Sequence, residues 1–145
     1  MDQMKKFWPS NQNNNNCFWS HEWSRHGTCV STLDPSCTSN PVEGKDIYDY
    51  FSKSLELRSQ YDLYEALVAK GIFPGWSKTV KTDDIRAAIK AEFHVEPGLK
   101  CKNGDLEEIW LYFKVKNRDQ YEPVQPSHSE WKGNCGESAF YPPKR

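Results

Sequence analysis

The side chains best suited to chemistry lie close together near the start of the chain. Two histidines, a glutamate and an arginine occur in one short stretch, at His21, Glu22, Arg25 and His26. Each residue of an α-helix advances by about 100°, so these four side chains share one side if residues 20–26 are helical. Trp23 falls at about 200° and can anchor the opposite face in a core. The stretch therefore predicts a helix that presents ionisable groups to a cleft.

Three interpretations compete for this stretch. A zinc metalloprotease helix has the pattern H-E-x-x-H, whose histidines face one metal ion, whereas the spacing H-E-x-x-x-H turns the second imidazole by about 140°. Histidines that only satisfy hydrogen bonds in a core are a simpler interpretation, but burying Glu22 and Arg25 beside them would be costly. Acid–base catalysis on a phosphodiester fits best, because histidine titrates near neutral pH. We therefore expect neither a metal site nor a cofactor.

The same residues resemble a known active-site motif. His21 to Cys29 resembles the second active-site segment of the ribonuclease T2 family, written H-E-W-x-K-H-G-T-C, and matches eight of its nine positions. Ile109 to Phe113 and Tyr141 to Lys144 also resemble the fungal branch of that family, so the resemblance covers nearly all of the chain. Arg25 stands where the family has lysine, which keeps the positive charge but replaces an ammonium with a planar fork.

The resemblance implies an endoribonuclease that cleaves single-stranded RNA by transfer through a 2′,3′-cyclic phosphate, without a metal ion. By that resemblance His26 matches the general base and His21 a histidine that binds phosphate. Glu22 and Arg25 match the pair that stabilises the pentavalent phosphorus, and Phe18 matches a position that stacks on a base. The implied partner is single-stranded RNA, and the protein is expected to be a monomer that does not bind membranes.

The family's first active-site segment, F-T-I-H-G-L-W-P, does not occur in these 145 residues. In the family, the histidine of that segment is the general acid. We therefore expect residues 1–145 to form a single ribonuclease T2-like domain that lacks its N-terminal portion. The alternative is a truncated, non-catalytic protein of the same fold that binds RNA or acts in recognition.

The composition limits how RNA could be bound. A net charge of −1 and a pI of about 6.4 argue against a broad basic surface, so binding would depend on a few local cations and stacked bases. Six Trp, seven Tyr and seven Phe can supply aromatic faces for a core and a cleft. No run of apolar residues approaches the length of about 18 residues that a membrane-spanning helix needs.

The five cysteines are an odd number, which leaves one unpaired in an oxidising compartment. The resemblance implies a Cys101–Cys135 disulfide, and it implies that Cys29 and Cys37 bond to cysteines in a preceding part of the protein. Cys17 matches no family position. The family also implies a secreted, extracellular or vacuolar–lysosomal location, although residues 1–6 lack the apolar run of a signal peptide.

Hydrophobic spacing predicts several helices. A short helix is expected over residues 1–8, followed by a polar loop over residues 11–16. Apolar residues at helical spacing predict helices over 46–58 and 63–67. Thr82 is expected to cap a further helix, whose buried stripe contains Ile85, Ala88, Ile89 and Phe93 and whose end carries His94.

Strand signals are concentrated in the second half. Residues 99–102 and 107–116 alternate in hydrophobicity and are predicted to be two strands joined by an Asn103-Gly104 turn. The proline-rich tail over 123–145 is predicted to be a surface return held by Cys135, with His128 exposed to solvent. Helices mixed with an antiparallel pair predict an α+β domain. The resemblance implies that its sheet is twisted, antiparallel, flanked by helices and stapled by a disulfide.

Overall fold

The chain folds into two compact units, Met1–Tyr61 and Asp62–Arg145. The computed structural model describes residues 2–37, 39–117, 119–127 and 129–143. We call Met1–Tyr61 the N-terminal unit and Asp62–Arg145 the C-terminal unit. No helix in these described ranges is long and apolar enough to cross a bilayer.

The N-terminal unit is helical. Its helices are α1 (Asp2–Phe7), α2 (Asn15–Arg25) and α3 (Lys45–Gln60). Three single 3₁₀ turns connect α2 to α3, at Gly27–Cys29, Ser31–Leu33 and Pro35–Cys37. The helices predicted over 1–8 and 46–58 are confirmed.

Helix α2 begins earlier than the sequence predicts. Asn14 is its N-cap, and the Asn14 side chain accepts a hydrogen bond from the backbone N–H of Cys17 at 3.1 Å. The Asn15 side chain accepts from the backbone N–H of Ser10 at 2.8 Å. The prediction of a polar loop over residues 11–16 was therefore wrong for residues 15 and 16, which belong to α2, because asparagine is a strong helix cap.

Aromatic side chains hold the N-terminal unit together. The ring of Trp8 packs edge-on against Phe51, with centroids 5.4 Å apart, and Tyr50 packs in the same way against Phe51 at 5.1 Å. The guanidinium of Arg58 lies 4.1 Å from the centroid of the Phe7 ring. The contacts of Phe51 with Trp8 and of Arg58 with Phe7 join α3 to α1 and to the residue that follows α1, so a unit with few buried aliphatic residues is packed mainly through rings.

The C-terminal unit is mixed α+β, as predicted. Its helices are α4 (Leu63–Val68) and α5 (Thr82–Phe93). Its strands are β1 (Thr79–Lys81), β2 (Gly98–Lys102), β3 (Asp105–Trp110), β4 (Phe113–Lys116), β5 (Gln120–Pro123) and β6 (Ser138–Phe140). The four-stranded sheet has the order β1-β6-β3-β2, and its pairs are antiparallel except for β3 with β6. Strands β4 and β5 form a separate hairpin.

One face of the four-stranded sheet is buried under the helices. Helix α5 presents its apolar stripe at the spacing i, i+3, i+4, as Ile85, Ala88 and Ile89. The stripe packs in one cluster with buried residues of α4 and the strands, which include Leu67, Leu99, Leu106 and Ala139. The predicted stripe of α5 is confirmed, with Phe93 partly buried against the same cluster.

The β2–β3 hairpin is confirmed, but the length predicted for its second strand was wrong. Asn103 and Gly104 have φ values of 54° and 88°, as a tight hairpin turn requires. The chain leaves the sheet after Trp110, and residues 113–116 pair instead with β5. Alternation of apolar residues fixes which face of a strand is buried and does not fix which strand is its partner.

The proline-rich tail is more deeply embedded than predicted. Residues 138–140 form β6, which lies between β1 and β3, and Ala139 is only 1% exposed. The prediction of a surface return was therefore wrong for this segment, because three residues are too few to give a strand signal in the sequence. The Cys101–Cys135 disulfide is confirmed and ties this tail to β2. His128 lies outside the described residues.

Thr82 does not cap α5. The cap is Lys81, and Thr82 is the first helical residue, buried at 4% exposure. The Thr82 hydroxyl donates to the carbonyl oxygen of Gly136 at 2.7 Å. The hydroxyl thus binds the segment that leads into β6, so the predicted cap is corrected to a tertiary contact.

We predict that Gly133→Ala destabilises the C-terminal unit far more than Gly104→Ala. Both glycines have positive φ, 78° and 88°, so each alanine bears about 1 to 2 kcal/mol of left-handed strain. Only at Gly133 would the new Cβ meet a neighbour, the carbonyl oxygen of Leu99 at 2.1 Å, which adds about 1 to 3 kcal/mol. Hydrogen exchange of the β2–β3 amides measures this stability. Equal losses in the two variants would contradict the packing described.

Candidate active site

Helix α2 places four of the predicted site residues on one stripe. Phe18, His21, Glu22 and Arg25 are spaced i, i+3, i+4 and i+7, which confines them to an arc of about 100°. His21 and Arg25 are exposed, while Phe18 and Glu22 are half-buried. The stripe therefore combines an aromatic face, an imidazole, a carboxylate and a guanidinium on one accessible surface.

Two tryptophans hold the opposite side of α2. Trp19 is 8% exposed, and its indole N–H donates to the carbonyl oxygen of Trp8 at 2.7 Å. The ring of Trp23 packs edge-on against Tyr50, with centroids 5.7 Å apart. The sequence pointed to Trp23 as the anchor, but Trp19 is the more deeply buried. The spacing of four between them is the signal that could have identified the pair.

The helix ends at Arg25, and His26 is its C-cap. The backbone N–H of His26 still donates to the carbonyl oxygen of Glu22 at 3.0 Å, although φ and ψ of −121° and −47° leave the helical region. A Cβ on Gly27 would lie 2.1 Å from the Trp23 ring. Glycine at this position therefore allows the backbone to pass close over the ring, which leaves the exposed His26 side chain at the helix end.

The residues that follow the histidine satisfy carbonyl groups of the last helical turn. The Thr28 hydroxyl donates to the carbonyl oxygen of Ser24 at 3.1 Å, and the Cys29 thiol to that of Arg25 at 3.6 Å. Such carbonyls have no partner within the helix itself. Cys29 is a free thiol here, as are the exposed Cys17 and Cys37, and the pairing of Cys29 and Cys37 with other cysteines stays a prediction.

Tyr50 is a site neighbour that the sequence analysis did not single out. Burial raises the pKa of the Tyr50 phenol, and the negative charge of Glu22 raises it further. The Glu22 carboxylate therefore lies near this phenol on α3. The apolar spacing over residues 46–58 predicted only a helix, and nothing in that spacing indicated that a carboxylate lies near Tyr50.

The ionisable side chains of the site are not bonded to one another. Within the described ranges, no hydrogen bond or ion pair joins the side chains of His21, Glu22, Arg25 and His26 to one another. The described residues also contain no group of three or more His, Cys, Asp or Glu that could hold a metal ion. Two imidazoles can transfer protons, and a guanidinium can donate paired hydrogen bonds to an anion such as phosphate.

Comparisons with known proteins agree on one family. The model of the ribonuclease T2 family matches residues 1–134. Ribonuclease Rh of Rhizopus niveus is 46% identical over 143 residues, which are 99% of this chain and 58% of that protein. The crystal structure of Actibind, a T2 ribonuclease, superposes with a TM-score of 0.90 at 33% identity and covers 99% of this chain and 62% of its own. A mutant of RNase MC1 in complex with 5′-UMP matches with a TM-score of 0.72 at 26% identity, over 97% of this chain and 66% of its own. The chain thus spans less than two thirds of these relatives.

We predict that Glu22→Gln lowers the pKa of Tyr50. Removing the negative charge removes the second cause of the upward shift, whereas burial, the first cause, remains, so the pKa stays above its usual value. Titration of the tyrosine ring carbons by NMR measures the change, with Tyr50→Phe to assign the signal. Glu43→Gln, at an exposed carboxylate of the same unit, is the matched control. An unchanged Tyr50 titration in Glu22→Gln would show that the carboxylate is not beside the phenol.

Proposed function

The chain belongs to the ribonuclease T2 family, and from this we propose that it acts as an endoribonuclease on single-stranded RNA. The proposed reaction is transfer: the ribose 2′-oxygen attacks phosphorus, the 5′-oxygen departs, and a 2′,3′-cyclic phosphate remains. The observation that carries the proposal is the stripe on α2, where His21, Glu22 and Arg25 lie on one side of the helix, with His26 exposed at the end of the same helix. We propose that no metal ion takes part.

His26 is the proposed general base. It removes the proton of the 2′-hydroxyl, a step that a positioned base accelerates by about 10² to 10⁴. Its place at the end of α2, exposed and outside the last helical turn, leaves its ring accessible to a ribose. The hydrogen bond from its backbone N–H to Glu22 fixes the backbone from which the ring projects.

Arg25, His21 and Glu22 are proposed to act on the phosphate. Negative charge develops on the equatorial oxygens during attack, and the fork of Arg25 can donate two hydrogen bonds to them. His21 would bind a phosphate oxygen, and Glu22 would hold the orientation and charge state of an imidazole. Phe18 would stack on a base, a contact that contributes about 1 to 3 kcal/mol.

The general acid is proposed to lie outside these 145 residues. By the family resemblance it is the histidine of the segment F-T-I-H-G-L-W-P, which the sequence does not contain. The 5′-oxygen would then leave with a proton from solvent or from a weaker acid. We therefore expect the 145 residues by themselves to cleave RNA more slowly than a protein that carries both segments.

We also propose the wider setting from the family. Both units would belong to one ribonuclease T2-like domain, since the family model extends from residue 1 to residue 134. The domain would act as a monomer in an extracellular or vacuolar–lysosomal compartment. The Cys101–Cys135 disulfide supports an oxidising location.

We predict that the purified chain converts UpA to a 2′,3′-cyclic phosphate in the presence of EDTA. His26→Ala should lower the rate by about 10² to 10⁴ because the base is lost, whereas His94→Ala, at an exposed histidine of the C-terminal unit, should leave it unchanged. Chromatography of the products measures the rate. If no product forms, even when a segment with the motif F-T-I-H-G-L-W-P is supplied, the non-catalytic alternative becomes the better interpretation.

We predict that RNA cleavage requires a positive charge at residue 25 but does not require the planar, forked guanidinium group. Arg25→Lys should retain most of the rate, since the ammonium still stabilises the developing negative charge. Arg25→Gln should lose about 10² to 10³, the effect of removing one transition-state donor. Lys5→Gln, at an exposed cation of the same unit, controls for a general effect of charge. A rate in Arg25→Gln equal to that of Arg25→Lys would contradict the assigned role.

A further inference from the structure

The second face of the four-stranded sheet is open to solvent at its β1–β6 end. Helix α5 and the apolar cluster cover the first face, where Leu106 and Ala139 are buried. Side chains of paired residues point to the same face of a sheet, and neighbours along a strand point to opposite faces. Thr79, Ser138 and Phe140 therefore lie on the face opposite the cluster, and all three are exposed.

Cross-strand pairing aligns four residues of this open face in a row. Thr79 pairs with Phe140, Phe140 with Asp105, and Asp105 with Lys102. At about 4.8 Å between neighbouring strands, the row is about 14 Å long. Lys81 lies beside one end of it, because it pairs with Ser138 on the same face. The arrangement has an aromatic ring in the middle and a lysine near each end.

Neither Lys81 nor Lys102 forms an ion pair among the described residues, although Asp105 lies opposite Lys102 on the neighbouring strand. Lys100, on the same strand as Lys102, is neutralised instead. It forms an ion pair with Glu108, and Glu108 also accepts a hydrogen bond from the indole N–H of Trp110 at 2.6 Å. Lys81 on β1 and Lys102 on β2 thus keep a positive charge that is neutralised at Lys100.

We propose that this face, which consists of Lys81, Phe140, Asp105 and Lys102, is an accessory binding site for single-stranded RNA. Phe140, 37% exposed, would stack on a base, and the two lysines would contact phosphates on either side of it. Asp105 would accept hydrogen bonds from a 2′-hydroxyl or a base amino group. Stacking faces combined with cations are the usual means by which proteins bind single strands without strict sequence preference.

The inference rests on the proposed function only for the choice of ligand, since an RNA cleaved on α2 is the polyanion that this protein would meet. A surface that bound acidic protein segments would need the lysines but not an exposed ring. A lipid surface would need a larger exposed apolar area than one phenyl ring at this end of the sheet. The ring, with a lysine on either side of it and neither lysine in an ion pair among the described residues, therefore favours a chain that alternates phosphates with flat bases.

The test uses a fluorescent 2′-O-methyl oligouridylate, which cannot be cleaved because its 2′-oxygen is blocked. Binding is measured by anisotropy over a range of salt concentrations. Phe140→Leu, which keeps the buried part of the side chain apolar, should weaken binding about five-fold or more, the lower limit for one stacked base. Lys81→Gln should reduce the slope of log K against log salt by about 0.7, the value for one phosphate contact of a single strand.

Matched variants and a second ligand make the result specific. Val115→Ala, at a residue that is also 37% exposed, and Lys114→Gln, at an exposed lysine of the same hairpin, should leave the affinity unchanged. Phe140→Trp should restore it. An abasic oligonucleotide has the phosphates without the bases, so Phe140→Leu should not affect its binding.

The outcomes separate this inference from the proposed reaction. Equal affinity of wild type and Phe140→Leu for the oligouridylate would overturn the accessory site, whether or not UpA is cleaved. Equal weakening of the abasic ligand would also overturn it, since the face would then be a site for polyanions in general. UpA cleavage tests only the residues on α2, so its failure leaves the binding result intact.

Discussion

The packing of Trp19 and Trp23 on the inner side of α2 is the constraint on which the candidate site depends. An exposed helix of eleven residues is marginal in water, so its polar stripe has a fixed orientation only if the other side is anchored. The indole N–H of Trp19 satisfies a carbonyl oxygen of Trp8, and the Trp23 ring fills the space that a side chain at Gly27 would occupy. These contacts explain why tryptophan and glycine accompany the histidines in the motif.

The sequence predicted those parts of the fold that local signals determine. The apolar stripe of α5 and the Asn103-Gly104 turn depend on residues close in the chain, and the structure has both. The sequence could not predict that β6 inserts between β1 and β3, because pairing between strands that are far apart in the chain leaves no local pattern. Thr82 was assigned to a cap for the same reason: its true partner, Gly136, is 54 residues away.

The placement of the candidate site residues on one helix was predictable from the sequence, but their surroundings were not. Residue types and helical spacing are enough to place His21, Glu22 and Arg25 on one side of a helix. The influence of Glu22 on the pKa of the Tyr50 phenol depends on the packing of α3 against α2, as in the Trp23–Tyr50 ring pair, and nothing in either segment alone indicates it. The early start of α2 at Asn15 is an intermediate case, because the capping signal at Asn14 was present within a run that also looks like a loop.

The distribution of ion pairs explains how a chain with a net charge of −1 could still bind a polyanion. Several exposed or half-buried lysines are neutralised by neighbouring carboxylates, at Lys45, Lys53, Lys90, Lys100 and Lys116. Exposed pairs of this kind add little stability, but they remove positive charge from the surfaces on which they lie. In the described part of the chain, Arg25, Lys81 and Lys102 have no such partner. The α2 stripe and the open sheet face therefore each keep a cation that could contact a phosphate, since the pairing of charges, and not only their total, determines where an anion is attracted.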